Sequence, residues 1–156
     1  MKILLLCLKA FETMEFSPFI DIMGWAHDDF NCDIHVDICG FNPKIMSTFG
    51  VTITADILID NVDVNNYDAL AIPGGFEEYG FYTEAYHDKT LNLIRSFYSQ
   101  HKPIASVCVA AFPLAQSGIL NKKKATTYHL RGGYKRKELE KFGVILGEEW
   151  LAIDDN

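Results

Sequence analysis

Tyr67-Asp68-Ala69-Leu70-Ala71-Ile72-Pro73-Gly74-Gly75 is an apolar run cut off by a proline and two glycines. A short continuous apolar run reads as a strand buried on both faces, the kind found in parallel sheets, and Pro-Gly-Gly forces a loop directly after it. Two other segments follow the same grammar: Lys2 to Leu8, and Pro103 to Val107, which passes through Cys108 into the small residues Val109-Ala110-Ala111. Helical spacing lies between them. Phe16, Phe19, Ile20 and Met23 recur every three or four residues and predict a helix from Met14 to about Phe30, with Pro18 tolerated in its first turn. Ala85, Leu91, Leu93, Ile94, Phe97 and Tyr98 predict another from Glu84 to His101. Asp33 to Cys39 alternates, with Ile34, Val36 and Ile38 on one face and His35, Asp37 and Cys39 on the other, and reads as a further strand.

The remaining segments fit the same pattern. Val51 to Asp60 is rich in β-branched residues and is read as short strands, and Val109 to Gln116 as a short buried helix stopped by Gly118. Ala125 to Tyr128 is read as a strand, Tyr134 to Phe142 as a charged surface helix closed by Gly143, and Val144 to Leu146 with Glu149 to Ile153 as a terminal hairpin. Strand and helix alternating in this way require right-handed crossovers, which give an α/β fold: a three-layer α/β/α sandwich around a mostly parallel sheet. Ligands in such sheets sit beyond the carboxyl ends of the strands.

At 156 residues the chain is the size of one domain, and its 49% apolar and 22% charged composition is that of a folded globular protein. Fourteen basic against 21 acidic residues give a net charge of −7, which repels a phosphate backbone and argues against nucleic acid as a partner. Lys122, Lys123, Lys124, Arg131, Lys135, Arg136, Lys137 and Lys141 crowd one region, read as a solvated helix face and its entry loop, or else as a patch for an anionic ligand. No run approaches a membrane span, and Ile3 to Leu8 is too short for a signal peptide and lacks its basic flank. The expectation is a cytoplasmic protein with no membrane partner. Cys7, Cys32, Cys39 and Cys108 are too few and too irregular for a disulfide scaffold, so reduced thiols are expected.

Chemistry concentrates where the strands end. The stretch around Cys108 has the form of a nucleophile elbow, in which a sharp turn presents one reactive side chain above the sheet. A thiol at a helix N-terminus feels amide N–H groups that favour thiolate and can lower its pKa to about 3.5–7.5. Gly74 and Gly75 allow backbone geometry closed to other residues, so the Gly75 amide with that of Val109 would make a two-donor oxyanion site. The plainer alternatives are a simple turn at Pro73-Gly74-Gly75 and a core cysteine at Cys108. Cys32, His35 and Cys39 form a C-x2-H-x3-C string, but on a strand only His35, Asp37 and Cys39 share a face, so no metal is expected. No phosphate-loop or dinucleotide fingerprint is present, and no cofactor is expected.

Leu70 to Gly75, then Pro103 to Cys108, then Ala125-Thr126-Thr127-Tyr128, together with the opening Lys2-Ile3-Leu4-Leu5-Leu6 strand and Phe11-Glu12-Thr13-Met14-Glu15, resemble the ThiJ/PfpI superfamily of the protein-deglycase type over essentially the whole chain. The resemblance implies a flavodoxin-like sandwich, a homodimer, a cysteine on a strained elbow at Cys108, and an acidic partner at Glu15 whose protonated carboxyl donates to the thiolate. The sequence departs from the superfamily in four places. Val109 stands where many peptidase-type members have histidine, so peptidase activity is not expected. Tyr128 stands where the deglycase branch often has histidine, with His129 beside it; either an assisting side chain or a structural tyrosine with a surface histidine fits. The arginine that a neighbouring subunit contributes in that branch falls near Phe49. The superfamily also continues for about thirty residues beyond Asn156, with a further strand and helix, so the single domain of residues 1–156 is expected to lack that segment.

Three functions follow. The first is deglycase or glyoxalase-like hydrolytic chemistry on a small carbonyl or glycated substrate, with Cys108 attacking, the Gly75 and Val109 amides holding the oxyanion and Glu15 moving protons. The second is a redox sensor or stress-response module in which Cys108 is oxidised without turnover. The third is a ligand-binding regulatory domain of the type fused to transcription regulators, against which the lack of a helix-turn-helix segment argues.

Overall fold

The computed structural model describes residues 1–154. In chain order it forms β1 (Lys2–Leu6), α1 (Thr13–Phe30), β2 (His35–Gly40), β3 (Lys44–Met46), β4 (Thr52–Thr54), β5 (Ile57–Leu58) and β6 (Ala69–Ile72). There follow α2 (Phe81–Ala85), α3 (Asp88–Ser99), β7 (Ile104–Ser106), α4 (Ala111–Gln116), β8 (Lys124–Ala125), α5 (Tyr134–Glu140) and β9 (Ile145–Leu146). The central sheet runs β5-β2-β1-β6-β7 with every neighbouring pair parallel.

Because side chains alternate along a strand, β1 and β6 feed two different cores. Leu4, Leu6, Leu70 and Ile72 pack with Leu93, Ile94 and Phe97 of α3 on one face. Ile3, Leu5, Cys7, Ala69 and Ala71 lie on the other, covered by Phe16, Phe19, Ile20 and Met23 of α1. The expected α/β/α sandwich is what the burial produces, and every residue of β1 after Lys2 is buried.

Several details differ from the sequence reading. Pro18 is the sixth residue of α1 rather than part of its first turn; it lies on the exposed side, where the Met14 carbonyl that loses its helical donor can reach solvent. The long helix expected over Glu84 to His101 is two, because His87 is extended (φ −66°, ψ 142°) and its Nδ1 accepts the Lys89 N–H at 3.2 Å, capping α3. The short strands expected over Val51 to Asp60 are present as β4, which pairs antiparallel with β3, and β5 at the edge of the main sheet. The strand expected over Ala125 to Tyr128 is only Lys124–Ala125, and among the described residues no terminal hairpin forms: β8 and β9 pair parallel as a separate small sheet. Residues 151–154 continue without strand, and Asp154 is tied back by Lys123 Nζ (3.0 Å) and the Lys124 N–H (2.9 Å).

Candidate active site

The loops after β1 and β6 are zipped to each other, and this builds the site. Ala10 takes a left-handed conformation (φ 60°) that turns the chain back across the sheet edge, so that Phe11 bridges Gly75 antiparallel. The Glu12 N–H donates to the Gly74 carbonyl at 2.8 Å, and one turn of α1 later Glu15 Oε2 accepts the Gly74 N–H at 2.7 Å. Neither Gly74 nor Gly75 has a positive φ. They are required for closeness: a Cβ on Gly74 would lie 2.6 Å from Glu15 Oε2 and 2.9 Å from the Val107 carbonyl oxygen, and one on Gly75 would strike the Ala10 carbonyl and the Phe81 ring.

The third loop brings the sulfur. Cys108 follows β7 with φ 55°, a left-handed conformation that costs a side-chain-bearing residue about 1–2 kcal/mol, as an elbow demands. Thr127 Oγ1 donates to the Cys108 carbonyl at 2.7 Å and so satisfies an acceptor that the sharp turn would strand. Glu15 and the Val109 N–H both hydrogen-bond the thiol. A cavity of about 50 Å³ is lined by Cys108, Gly75, Val109 and Tyr128 together, and Cys108 also opens onto a larger groove of about 1120 Å³ that reaches Glu15 and Tyr128. All five residues singled out in the sequence therefore meet at one place. The ring of His129 instead packs edge-on against Trp150 at 4.3 Å, and Phe49, where a subunit-bridging arginine is expected, is 72% exposed in an aromatic group with Phe76 and Tyr79.

The electrostatics correct one expectation. Burial and the neighbouring Glu15 carboxylate push the Cys108 thiol up to about 12, with the Val109 N–H pulling weakly the other way. The helix meant to lower it is a three-residue 3-10 turn leading into the six-residue α4, too short to gather much dipole. Glu15 is raised by burial while the Gly74 N–H and the thiol favour its ionised form. Both shifts favour the protonated form, so burial here works against a resting thiolate at Cys108, and the two groups titrate as a unit. Cys39 is likewise pushed up to about 12 by burial, and Cys7 is raised by burial and by Cys39; both are core thiols.

Two participants escaped the sequence reading. Thr127 lay inside a quoted motif but carried no assigned task. Lys135 belonged to the basic run read as a solvated face, yet it is 7% exposed and lines the Cys108 cavity with Tyr82. The Arg131 side chain of that run lies outside the described residues.

The family model described as DJ-1/PfpI family matches residues 1–154. An uncharacterized protein of Methanocaldococcus jannaschii is 31% identical over 72% of this chain, and the aligned part is 53% of that protein, so the chain spans about half its length. A deglycase of Thermococcus kodakarensis is 29% identical over 97% of this chain and 89% of its own. Among solved structures, DJ-1beta of Drosophila melanogaster shares the fold with a TM-score of 0.81 at 23% identity, covering 99% of this chain and 77% of that one. With the ordered loops, the left-handed cysteine and the match along nearly its whole length in hand, the chain belongs to the DJ-1/PfpI family.

Proposed function

We propose that the protein carries out deglycase or glyoxalase-like chemistry on small carbonyl or glycated compounds, with Cys108 as nucleophile and Glu15 as the proton carrier. The observation that carries this reading is the hydrogen-bonded Cys108–Glu15 pair at a left-handed turn beside the Gly75 and Val109 backbone. A thiol that rests protonated needs a base at the moment of attack. Glu15 is in contact with it, and burial raises its carboxyl, which makes it a stronger base than an exposed carboxylate.

As the S–C bond forms, the carbonyl π pair moves to oxygen and the thiol proton passes to Glu15. Glu15 then returns that proton to the new oxyanion, giving a neutral hemithioacetal with no net change in protons. In this reading the Gly75 and Val109 amides, whose residues line the Cys108 cavity, receive the developing charge, and removing one such donor typically costs about 2.7–4 kcal/mol in the transition state. Gly74 has a different task from the one its neighbour is given: its N–H is spent on Glu15. Support for the substrate class comes from the deglycase relative.

The sensor reading is the weaker one, since oxidation follows thiolate character and exposure, and Cys108 is half-buried with a raised thiol while Cys32 is exposed. The test is loss of methylglyoxal followed with wild type and Cys108→Ala. We expect consumption by wild type and at least about a hundredfold less by the variant; equal rates, or no consumption by either, would remove the enzyme reading.

A further inference from the structure

One buried charge in the wall of the Cys108 cavity has no task in the chemistry above. Lys135 is 7% exposed on a helix whose other charged residues are more exposed. Its Nζ lies 3.1 Å from Glu77 Oε2 and 2.9 Å from Glu138 Oε2, and 5.2 to 5.4 Å from the ring centroids of Tyr82, Phe112 and Tyr134. An ammonium has three N–H donors, and among the described residues these two carboxylates take two of them. Tyr82 also lines the cavity, and its ring is fixed by stacking on Tyr86 at 4.8 Å and by edge contact with Phe112 at 6.0 Å. Its hydroxyl oxygen is buried and has no hydrogen-bond partner among the described residues. Native proteins leave few buried polar atoms unpaired, and here Lys135, with a third N–H beyond its two carboxylates, and Tyr82, with an unpaired hydroxyl, both line the cavity that holds the nucleophile.

We propose that Lys135, backed by Tyr82, determines specificity: together they donate to an oxygen on the carbon next to the carbonyl that Cys108 attacks. The cavity of about 50 Å³ has room for only a few water-sized groups, which suits a two- or three-carbon compound. Charge decides the kind of oxygen. Lys135 with Glu77 and Glu138 already carries one excess negative charge, and Glu78 lines the same cavity, so a carboxylate is repelled and a neutral carbonyl or hydroxyl oxygen is accepted. The inference rests on the reading of Cys108 as the group that adds to a carbonyl.

Three three-carbon probes separate the possibilities: methylglyoxal, propanal, which lacks the second oxygen, and pyruvate, whose ketone is the carbonyl attacked and whose oxygens on the next carbon are those of a carboxylate. The readout is the concentration of each that halves iodoacetamide alkylation of Cys108, followed by peptide mass. With wild type, methylglyoxal should protect at the lowest concentration and pyruvate should protect poorly. Tyr82→Phe keeps the stacked ring and removes only the unpaired oxygen, so its Tm should match or exceed wild type; Lys135→Met removes the donor and keeps an apolar stem. In both, the methylglyoxal requirement should rise about tenfold while that for propanal changes less than about twofold. If methylglyoxal and propanal shift together or not at all, or pyruvate protects as well as methylglyoxal, the subsite is overturned while the reading of Cys108 stands. If no probe protects wild type, both fall.

Discussion

Glu15 is pulled in two directions, and separating them tests its assignment. Its carboxyl is raised in the folded protein, chiefly by burial. A group whose folded pKa lies above its unfolded value contributes stability at pH below the unfolded value, and that contribution is lost as pH rises through the folded pKa. Ionising the half-buried Glu15 is therefore a liability that grows as pH rises. Glu15→Gln stays neutral and can still accept the Gly74 N–H, so its Tm should exceed that of wild type by about 2 °C at pH 7.5 and match it at pH 4, in thermal melts at both pH values. The same variant should lose about 10²- to 10⁴-fold in methylglyoxal consumption, because the proton has nowhere to go. Stability and activity moving in opposite directions is the expected outcome; if they fall together, Glu15 is structural. Little of this was legible in the sequence. Cys108 could be picked out by its small neighbours after a strand, and Glu15 only by resemblance. The location of the proton depends on burial and on the length of the following helix, and neither is a property of residue type.

At the scale of elements, the site exists because the loops after β1, β6 and β7 close on one another. Gly75→Ala pushes a methyl into the Ala10 carbonyl, a backbone atom that cannot swing away, and should cost about 1–3 kcal/mol, visible as a lower Tm. Gly24→Ala is the control: nothing lies within 4 Å of the new Cβ on the exposed side of α1, and alanine should stabilise that helix by about 0.5–1 kcal/mol. Equal effects of the two substitutions would mean that Gly75 is not held by its neighbours. The strands at the centre could be read because burial on both faces leaves an unbroken apolar run. The break between α2 and α3 could not, since the cap is a histidine rather than a serine, threonine, asparagine or aspartate, and the apolar spacing continues across it. The strands β3, β5, β8 and β9, of two or three residues, are too short to show a period. Lys135 was hidden for another reason: its neighbours are charged, and only the packing of α5 against the aromatic group of Tyr82 and Phe112 turns it inward.

Across the whole molecule, stability should be graded from the middle of the sheet outward. Strands β1 and β6 lie between partners on both sides and between two cores, whereas β8 and β9 form a two-stranded sheet of their own. Hydrogen exchange should find the amides of Leu4 to Leu6 and Leu70 to Ile72 opening only with global unfolding, and those of Ile145 and Gly147 opening first. Uniform protection would contradict this picture. The site lies along the boundary between these regions: Glu15 and Gly74 hang from the rigid centre, while Thr127, which holds the Cys108 carbonyl, follows the looser β8. Among the described residues no helix is long and apolar enough to cross a membrane.

The most direct test of the Cys108–Glu15 pair is the pH dependence of iodoacetamide alkylation at Cys108, read by peptide mass from pH 5 to 10. With the proton resting on sulfur and the thiol pushed up to about 12, the rate should keep climbing through pH 10 with no plateau. A rate already level by about pH 6 would mean a thiolate at rest, and Glu15 could not then be the base that receives its proton.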